Sequence, residues 1–198
     1  LDTSYAYRRE KGGWKAIRRV LEFIRRVRAT HVVMSDIDDF FDTIDHDILM
    51  ERLAVHVADP DVLRLVRLFL KNGIIAQTGA WRDGVAGVPT GSIISPLLSN
   101  FYLHPFDVYL RDKELASVRY ADDWVILCRG KKAAEEAFQA AQDFLRADLK
   151  LRLNQKSQNP QSLKSGFTFL GFRVVGDTLR IDPEKVTRVE RELRLLGE

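Results

Sequence analysis

The sequence predicts an α+β fold, on three observations. Stretches with apolar residues at helical spacing do not alternate regularly with strand-like runs, which argues against a parallel, doubly wound design. The run VRYADDWVIL (118–127) reads as a hairpin, with apolar and β-branched residues on either side of Asp122 and Asp123. At 198 residues and 45% hydrophobic content, the chain can bury one substantial core. The sequence carries no internal repeat, low-complexity tract or long linker, so its punctuation marks subdomains.

The elements follow in order. Ile17, Val20, Leu21, Ile24 and Val27 recur at helical spacing while Lys15, Arg18, Arg19, Arg25, Arg26 and Arg28 take other faces, which predicts an amphipathic basic helix. HVVMSDI (31–37) is a β-rich run ending in acid. IDHDILMERLAVHV (44–57) reads as a helix capped by Asp45. Asp59-Pro60 pairs an N-cap with proline at the first helical position, ahead of Val62, Leu65, Val66, Phe69 and Leu70, and Asn72-Gly73 closes that helix. From Ile74 to Val88, short apolar pieces around Gly79, Gly84 and Gly87 suggest a hairpin and loop. Ser95-Pro96 opens a helix through Leu98, Phe101, Tyr102 and Phe106. After the hairpin at 118–127, Ala134, Ala137, Phe138, Ala141, Phe144 and Leu145 trace another. FTFLGFRVV (167–175) and TLRI (178–181) are strand-like, and DPEKVTRVERELRLLGE (182–198) begins a capped helix with Val186, Val189, Leu193 and Leu196 as its stripe. The start at Leu1 rather than Met suggests a piece of something larger.

Charge is distributed unevenly. Residues 1–35 hold nine Lys/Arg against three acids, and residues 36–61 hold nine acids against Arg52 alone. A basic arm beside an acidic pocket suits a polyanionic ligand that is also met by metal ions. The lone Cys128 cannot form an intrachain disulfide, and it makes no structural zinc site with the four His. That composition fits a reducing, cytoplasmic setting. No apolar run is long enough to span a bilayer, so no membrane partner is expected.

An Asp pair in a turn is ordinarily there for the turn itself. Here a second acid, Asp36, stands at the end of another strand. If that strand pairs beside the hairpin, Asp36 and Asp122 meet at one edge with Asp123 close by. Such oxygen ligands suit Mg²⁺, which is commonly held by one or two carboxylates plus substrate phosphates. Two such ions can serve an in-line phosphoryl displacement, as in polymerases and nucleases.

These residues sit in recognisable patterns. The chain resembles bacterial reverse transcriptases of the group II intron-like type, a branch that includes CRISPR-associated reverse transcriptases. SDIDDFFDTIDH (35–46) resembles the first catalytic motif of that family and RYADDW (119–124) its second. GVPTGSIISPLLSN (87–100) resembles the nucleotide-binding loop and helix, FTFLGF (167–172) the primer grip, and SYAYRREKGGWKAI (4–17) the fingers segment that holds the incoming triphosphate.

The resemblance implies a right-hand polymerase fold: an antiparallel palm sheet with helices packed on one face, partial fingers, and a thumb that is essentially absent. Residues 1–35 would be fingers, 36–58 palm, 59–91 a fingers/palm insertion with the nucleotide-binding loop, 92–175 palm, and 176–198 the start of a thumb. It also implies roles. Asp36, Asp122 and Asp123 would be catalytic and bind metal together with the Ile37 backbone. Arg8 and Lys11 would grip the triphosphate, Phe41 would be the steric gate against a ribose 2′-hydroxyl, and Pro89, Thr90, Gly91 and Lys156 would contact substrate. Phe169, Leu170 and Gly171 would form the primer grip. The implied cofactor is a pair of Mg²⁺ ions, with Mn²⁺ a possible substitute. The implied partners are an RNA template, a DNA primer, dNTPs, and further domains or proteins. Three departures stand out: Thr90 replaces the usual Gln, Asp38-Asp39 replaces a basic-plus-Gly pair, and the residues around Lys156 are spaced one position tighter. Thr90, Asp38-Asp39 and the missing thumb leave room for an alternative, a polymerase-like module that binds nucleic acid or scaffolds a larger complex without synthesis.

Overall fold

The computed structural model describes residues 2–71, 74–75, 81–82, 86–89, 91–154 and 160–181. The predicted helix over 182–198, the Asn72-Gly73 stop, Thr90 and Lys156 lie outside the described residues.

Helix α1 runs Gly13–Val27 and buries Ala16, Ile17, Val20, Phe23 and Ile24, the stripe that the sequence spacing predicts. It ends where Arg28 turns left-handed (φ 51°) and the Ala29 N–H donates back to the Ile24 carbonyl at 2.9 Å. Strand β1 (His31–Ser35) follows, then the short α2 (Phe40–Thr43) and α3 (His46–Ala54). Asp45 caps α3 as predicted, its carboxylate accepting from the Asp47 and Ile48 N–H groups. Its other oxygen receives Lys150 Nζ at 2.7 Å. The predicted run reached Val57, but α3 stops at Ala54, where the His56 and Val57 N–H groups both turn back to the Leu53 carbonyl.

Helix α4 (Pro60–Lys71) starts at the Asp59 cap, which accepts from Asp61 N–H at 2.8 Å. Its packed face differs from the predicted one. Leu63, Val66, Phe69 and Leu70 meet the core, while Val62 and Leu65 face solvent. The helix is Leu/Val-rich around much of its circumference, so periodicity alone allowed two adjacent faces. Strands β2 (Ile74–Ile75) and β3 (Trp81–Arg82) form a minimal hairpin. Helix α5 (Ser95–Asp112), hairpin strands β4 (Ala116–Tyr120) and β5 (Asp123–Cys128), and helix α6 (Lys131–Asp148) follow, then β6 (Gln161–Ser162), β7 (Phe167–Phe169), β8 (Phe172–Val175) and β9 (Thr178–Ile181).

The central sheet has the order β4-β5-β1-β6 and is antiparallel throughout. Its residues alternate between two cores. Val33, Trp124, Ile126 and Cys128 join the larger core with residues of α3, α5 and α6. Val32, Val118, Val125 and Leu127 join a second core with α1 and with Phe167, Phe169 and Val174. The expected helices do cover one face, and the other is covered too, by α1 and the small β7-β8-β9 sheet. The apolar stripe of α1 has to be buried somewhere, and the apolar residues Val32, Val118, Val125 and Leu127 on the second face of the sheet receive it.

Two buried groups in the larger core are pushed up in pKa, and the first also ties helices together. The Tyr102 hydroxyl donates to the Leu149 carbonyl at 2.6 Å and accepts from Asp45 N–H at 3.2 Å. It thereby joins α5, the start of α3 and the end of α6, and burial pushes its pKa up to about 12. Cys128 is buried, and its thiol is pushed up to about 11 for the same reason. Among the described residues no helix is long and apolar enough to cross a membrane.

Candidate active site

The site grows out of the β4–β5 hairpin. Tyr120 pairs with Asp123, leaving Ala121 and Asp122 as a two-residue turn. Ala121 sits at φ 57°, a left-handed conformation that costs an alanine about 1–2 kcal/mol. Strand β1 pairs with β5 through Ser35↔Trp124, so Asp36 leaves the sheet at the end where the turn lies. Its carboxyl and that of Asp122 share a hydrogen bond, and the Asp36 pKa is raised by burial, then by the Asp122 charge and that bond, against a smaller opposing pull from the Ile37 N–H. Asp123 keeps an exposed surface, yet packing around its carboxyl raises its pKa, and the Asp36 charge adds to this.

The three acids form one electrostatic neighbourhood, with Asp36 and Asp122 at its centre. Among the described residues no cluster of three or more His, Cys, Asp or Glu side chains is arranged to hold a metal ion by itself. The donors that do come together are carboxylate oxygens, which suit Mg²⁺ or Mn²⁺ and not a thiolate- or imidazole-seeking metal. A divalent cation here would offset the Asp122 charge that helps raise the Asp36 pKa. Ile37 is buried and forms a bridge with Leu153. The two ladder bonds there use the Asp36 carbonyl and the Asp38 N–H, and neither uses the Ile37 carbonyl.

Arg119 holds the turn from behind, a residue the motif reading passed over. It is 2% exposed, and all five of its guanidinium N–H donors are used. Nε and one Nη2 hydrogen go to the Asp107 carboxylate at 2.7 and 2.6 Å. The other Nη2 hydrogen goes to Ser4 Oγ at 2.9 Å, and the Nη1 pair goes to Asn100 Oδ1 at 3.2 Å and the Ala121 carbonyl at 2.7 Å. The N-terminal segment is laid along β4 by Arg119 N–H to the Thr3 carbonyl (2.8 Å) and Tyr5 N–H to the Arg119 carbonyl (2.9 Å). The signal in the sequence was a charged residue inside an otherwise apolar strand.

Further along that segment, Tyr7 lies near Asp122, and its hydroxyl pKa is raised by burial and then by the Asp122 charge. Arg8 donates to the Ser4 carbonyl at 3.2 Å. Lys11 is engaged elsewhere, 3.5 Å from Asp2 and 4.8 Å over the Tyr5 ring, in a hollow also lined by Lys15, Arg18 and Arg19.

The nucleotide-loop residues meet the first motif directly. Phe40 is core, while Phe41 is half-buried and packs edge-on against it, ring centroids 5.2 Å apart. The Phe41 carbonyl accepts from Val88 N–H at 2.7 Å, and the Ile44 carbonyl from Gly87 N–H at 2.9 Å. Only glycine fits at 87, since a Cβ there would lie 2.9 Å from the Asp42 Cα and the Phe41 oxygen, at φ 85°. His46 Nε2 donates to the Gly87 carbonyl at 2.6 Å, and Ser95 Oγ donates to the Pro89 carbonyl at 2.6 Å. Gly91 is exposed, also at φ 85°. Asp39 stands at φ 42°, so the Asp that replaces the usual Gly occupies a left-handed position.

The predicted primer-grip residues form the β7–β8 turn. Phe169 is buried and pairs with Phe172, while Leu170 and Gly171 both have positive φ, 52° and 75°. This tip packs toward the start of α1, where a Cβ on Gly13 would lie 3.8 Å from Leu170 Cδ1 and 4.0 Å from Tyr120 Cε2.

Residues 2–174 match the family described as reverse transcriptase (RNA-dependent DNA polymerase). Protein YkfC of Escherichia coli K12 is 32% identical over 209 residues, covering 87% of this chain and 55% of that protein. The group II intron-encoded protein LtrA of Lactococcus lactis is 30% identical over 109 residues, covering 55% of this chain and 18% of that one. The chain thus spans about half the length of YkfC and a smaller share of LtrA. Apo telomerase from Candida tropicalis superposes with a TM-score of 0.69 at 11% identity, over 91% of this chain and 37% of that chain, which shows a shared fold. A helix-backed antiparallel sheet with paired aspartates at its hairpin end, together with these matches, places the chain in the reverse transcriptase (RNA-dependent DNA polymerase) family.

Proposed function

We propose that this chain is the polymerase part of an enzyme that extends a DNA primer with dNTPs on an RNA template. The observation that carries the reading is the Asp36–Asp122 carboxyl pair at the β4–β5 turn. Two Mg²⁺ ions, or Mn²⁺ in their place, would be held by Asp36, Asp122 and Asp123 with the Ile37 carbonyl, supplying activation of the attacking hydroxyl and charge neutralisation at the phosphates. The primer 3′-oxygen forms a bond to the α-phosphorus as the bond to the bridging oxygen breaks, and pyrophosphate leaves. Phe41, whose carbonyl accepts from the Val88 N–H, would exclude a ribose 2′-hydroxyl. Thr90 and Gly91, next in the sequence, would contact the nucleotide. Arg8 and Lys11 meet the triphosphate, for which Lys11 leaves Asp2, an exposed pairing that costs little to break. Phe169, Leu170 and Gly171 position the primer, and Lys156 neutralises or protonates the departing pyrophosphate.

The same reading takes residues 1–35 and 59–91 as fingers elements, 36–58 and 92–175 as palm, and 176–198 as the beginning of a thumb. It places the chain in the group II intron-like branch, with CRISPR-associated enzymes among its neighbours, working in the cytoplasm with further domains or partner proteins. A solved telomerase from Candida albicans with a telomeric RNA fragment supports an RNA partner for this fold. The non-synthesising alternative rests on Thr90 and Asp38-Asp39, and the paired carboxyls do not favour it.

The test is Mg²⁺-dependent extension of a DNA primer on RNA and DNA templates, with dNTPs and NTPs compared. Asp122→Asn should abolish extension while leaving nucleic-acid binding in place; undiminished extension overturns the assignment.

A further inference from the structure

We infer that Trp14, with Phe172 beneath its edge and Arg18 one helical turn on, forms a stacking platform for an unpaired base of a single-stranded nucleic acid beside the catalytic hairpin. The inference rests on the polymerase reading only for the identity of the strand.

Trp14 is 58% exposed, an unusual position for the largest apolar side chain when the buried stripe of the same helix begins two residues later at Ala16. Its ring stands 6.0 Å from that of Phe172 at an interplanar angle of 56°, so one edge is supported while surface remains open to solvent. The neighbouring Gly13 abuts Leu170 and Tyr120. Trp14 therefore stands within one residue of the β7–β8 tip and of the strand that carries the catalytic turn.

Residues four apart share a helix face, so Trp14 and Arg18 form one ridge that continues past Leu21 to Arg25. Helix α1 carries five cations against one acid. That acid, Glu22, is divided between Arg18 at 4.0 Å and Arg19 at 3.2 Å, so positive charge remains in excess. Arg18 is 64% exposed, and Arg25 meets Asp177 at the β8–β9 turn. An exposed flat aromatic followed by cations along one ridge is the composition that binds single strands, bases stacking on the ring and phosphates meeting the arginines. A protein partner would have less use for that charge excess.

The experiment titrates the full chain with unpaired RNA and DNA oligonucleotides, without Mg²⁺ or dNTPs, following tryptophan fluorescence and affinity. Expected are quenching that disappears in Trp14→Leu, and an affinity loss of about 5- to 150-fold for Trp14→Ala. Trp14→Phe should stay near wild type. Trp14→Leu keeps apolar packing on Phe172 but has no flat face, so it should bind as poorly as Trp14→Ala. Arg18→Gln should lower the slope of log affinity against log salt by about 0.7. Wild-type affinity in Trp14→Leu, or no binding of either oligonucleotide by the wild-type chain, overturns the platform. Trp14-dependent quenching in a chain that extends no primer leaves the platform standing, since these titrations involve no synthesis.

Discussion

At the scale of single residues, the contact that holds the catalytic turn belongs to a side chain to which the motif assigns no role, Arg119. Replacing Arg119 with Met leaves Asp107 charged and buried and frees the Ala121 carbonyl, and should cost about 3–5 kcal/mol in a denaturant titration. Pairing it with Asp107→Leu should recover most of that stability, since two apolar residues can replace a buried ion pair. Primer extension should stay low in the pair, because the left-handed turn has still lost its hold. Phe41→Ala tests a different contact: incorporation of NTPs should rise relative to dNTPs, and an unchanged preference would make Phe41 a packing residue. The aspartates themselves were legible because acids stand out at strand ends. Arg119 was not read from its motif because its role is set by Ser4 of the N-terminal segment and by Asn100 and Asp107 of α5, distant in the sequence.

Among the elements, what the sequence marks best is where helices begin. Asp45 and Asp59 cap α3 and α4 as their positions foretell, whereas the end of α3 and the packed face of α4 depend on neighbours that no local pattern names. Asp45→Ala should destabilise by about 1 kcal/mol. The Lys150 hydrogen bond, then the α3 backbone N–H groups, hold the Asp45 carboxyl below its ordinary value. Its folded pKa is thus lower than its unfolded one, so this stabilisation is fully present above the ordinary carboxylate range and is lost as pH falls through the depressed value. Asp45→Asn keeps an acceptor but cannot ionise, so it should flatten that part of the acid limb in melts taken across pH. Tyr102→Phe should cost about 1–3 kcal/mol by leaving the Leu149 carbonyl unpaired.

Across the whole molecule, two cores share one sheet, and the acidic pair sits at the end where β1, β4 and β5 leave it. The α+β class and the convergence of Asp36 with Asp122 followed from strand-like runs ending in acid. Coverage of both sheet faces did not, because which face α1 would choose is a tertiary matter. Carboxyls held this close repel once both are ionised, so a bound divalent cation should stabilise the fold by mass action, about 2.7 kcal/mol at a hundredfold excess over its Kd. The measurement is the rise in Tm with Mg²⁺, which should vanish in an Asp36→Asn/Asp122→Asn double variant.

The buried thiol at the far end of this sheet has a practical use. Cys128 is the sole cysteine of the chain, and its Cα partner is His31, at the opposite end of the β1–β5 ladder from Ser35. Shielded and with its pKa at about 11, it presents almost no reactive anion to a sulfhydryl reagent until the ladder opens. Labelling kinetics would therefore report breathing of the central strands with no engineered probe, and a nucleic acid that tightens the sheet would be seen as slower modification at the end remote from the turn.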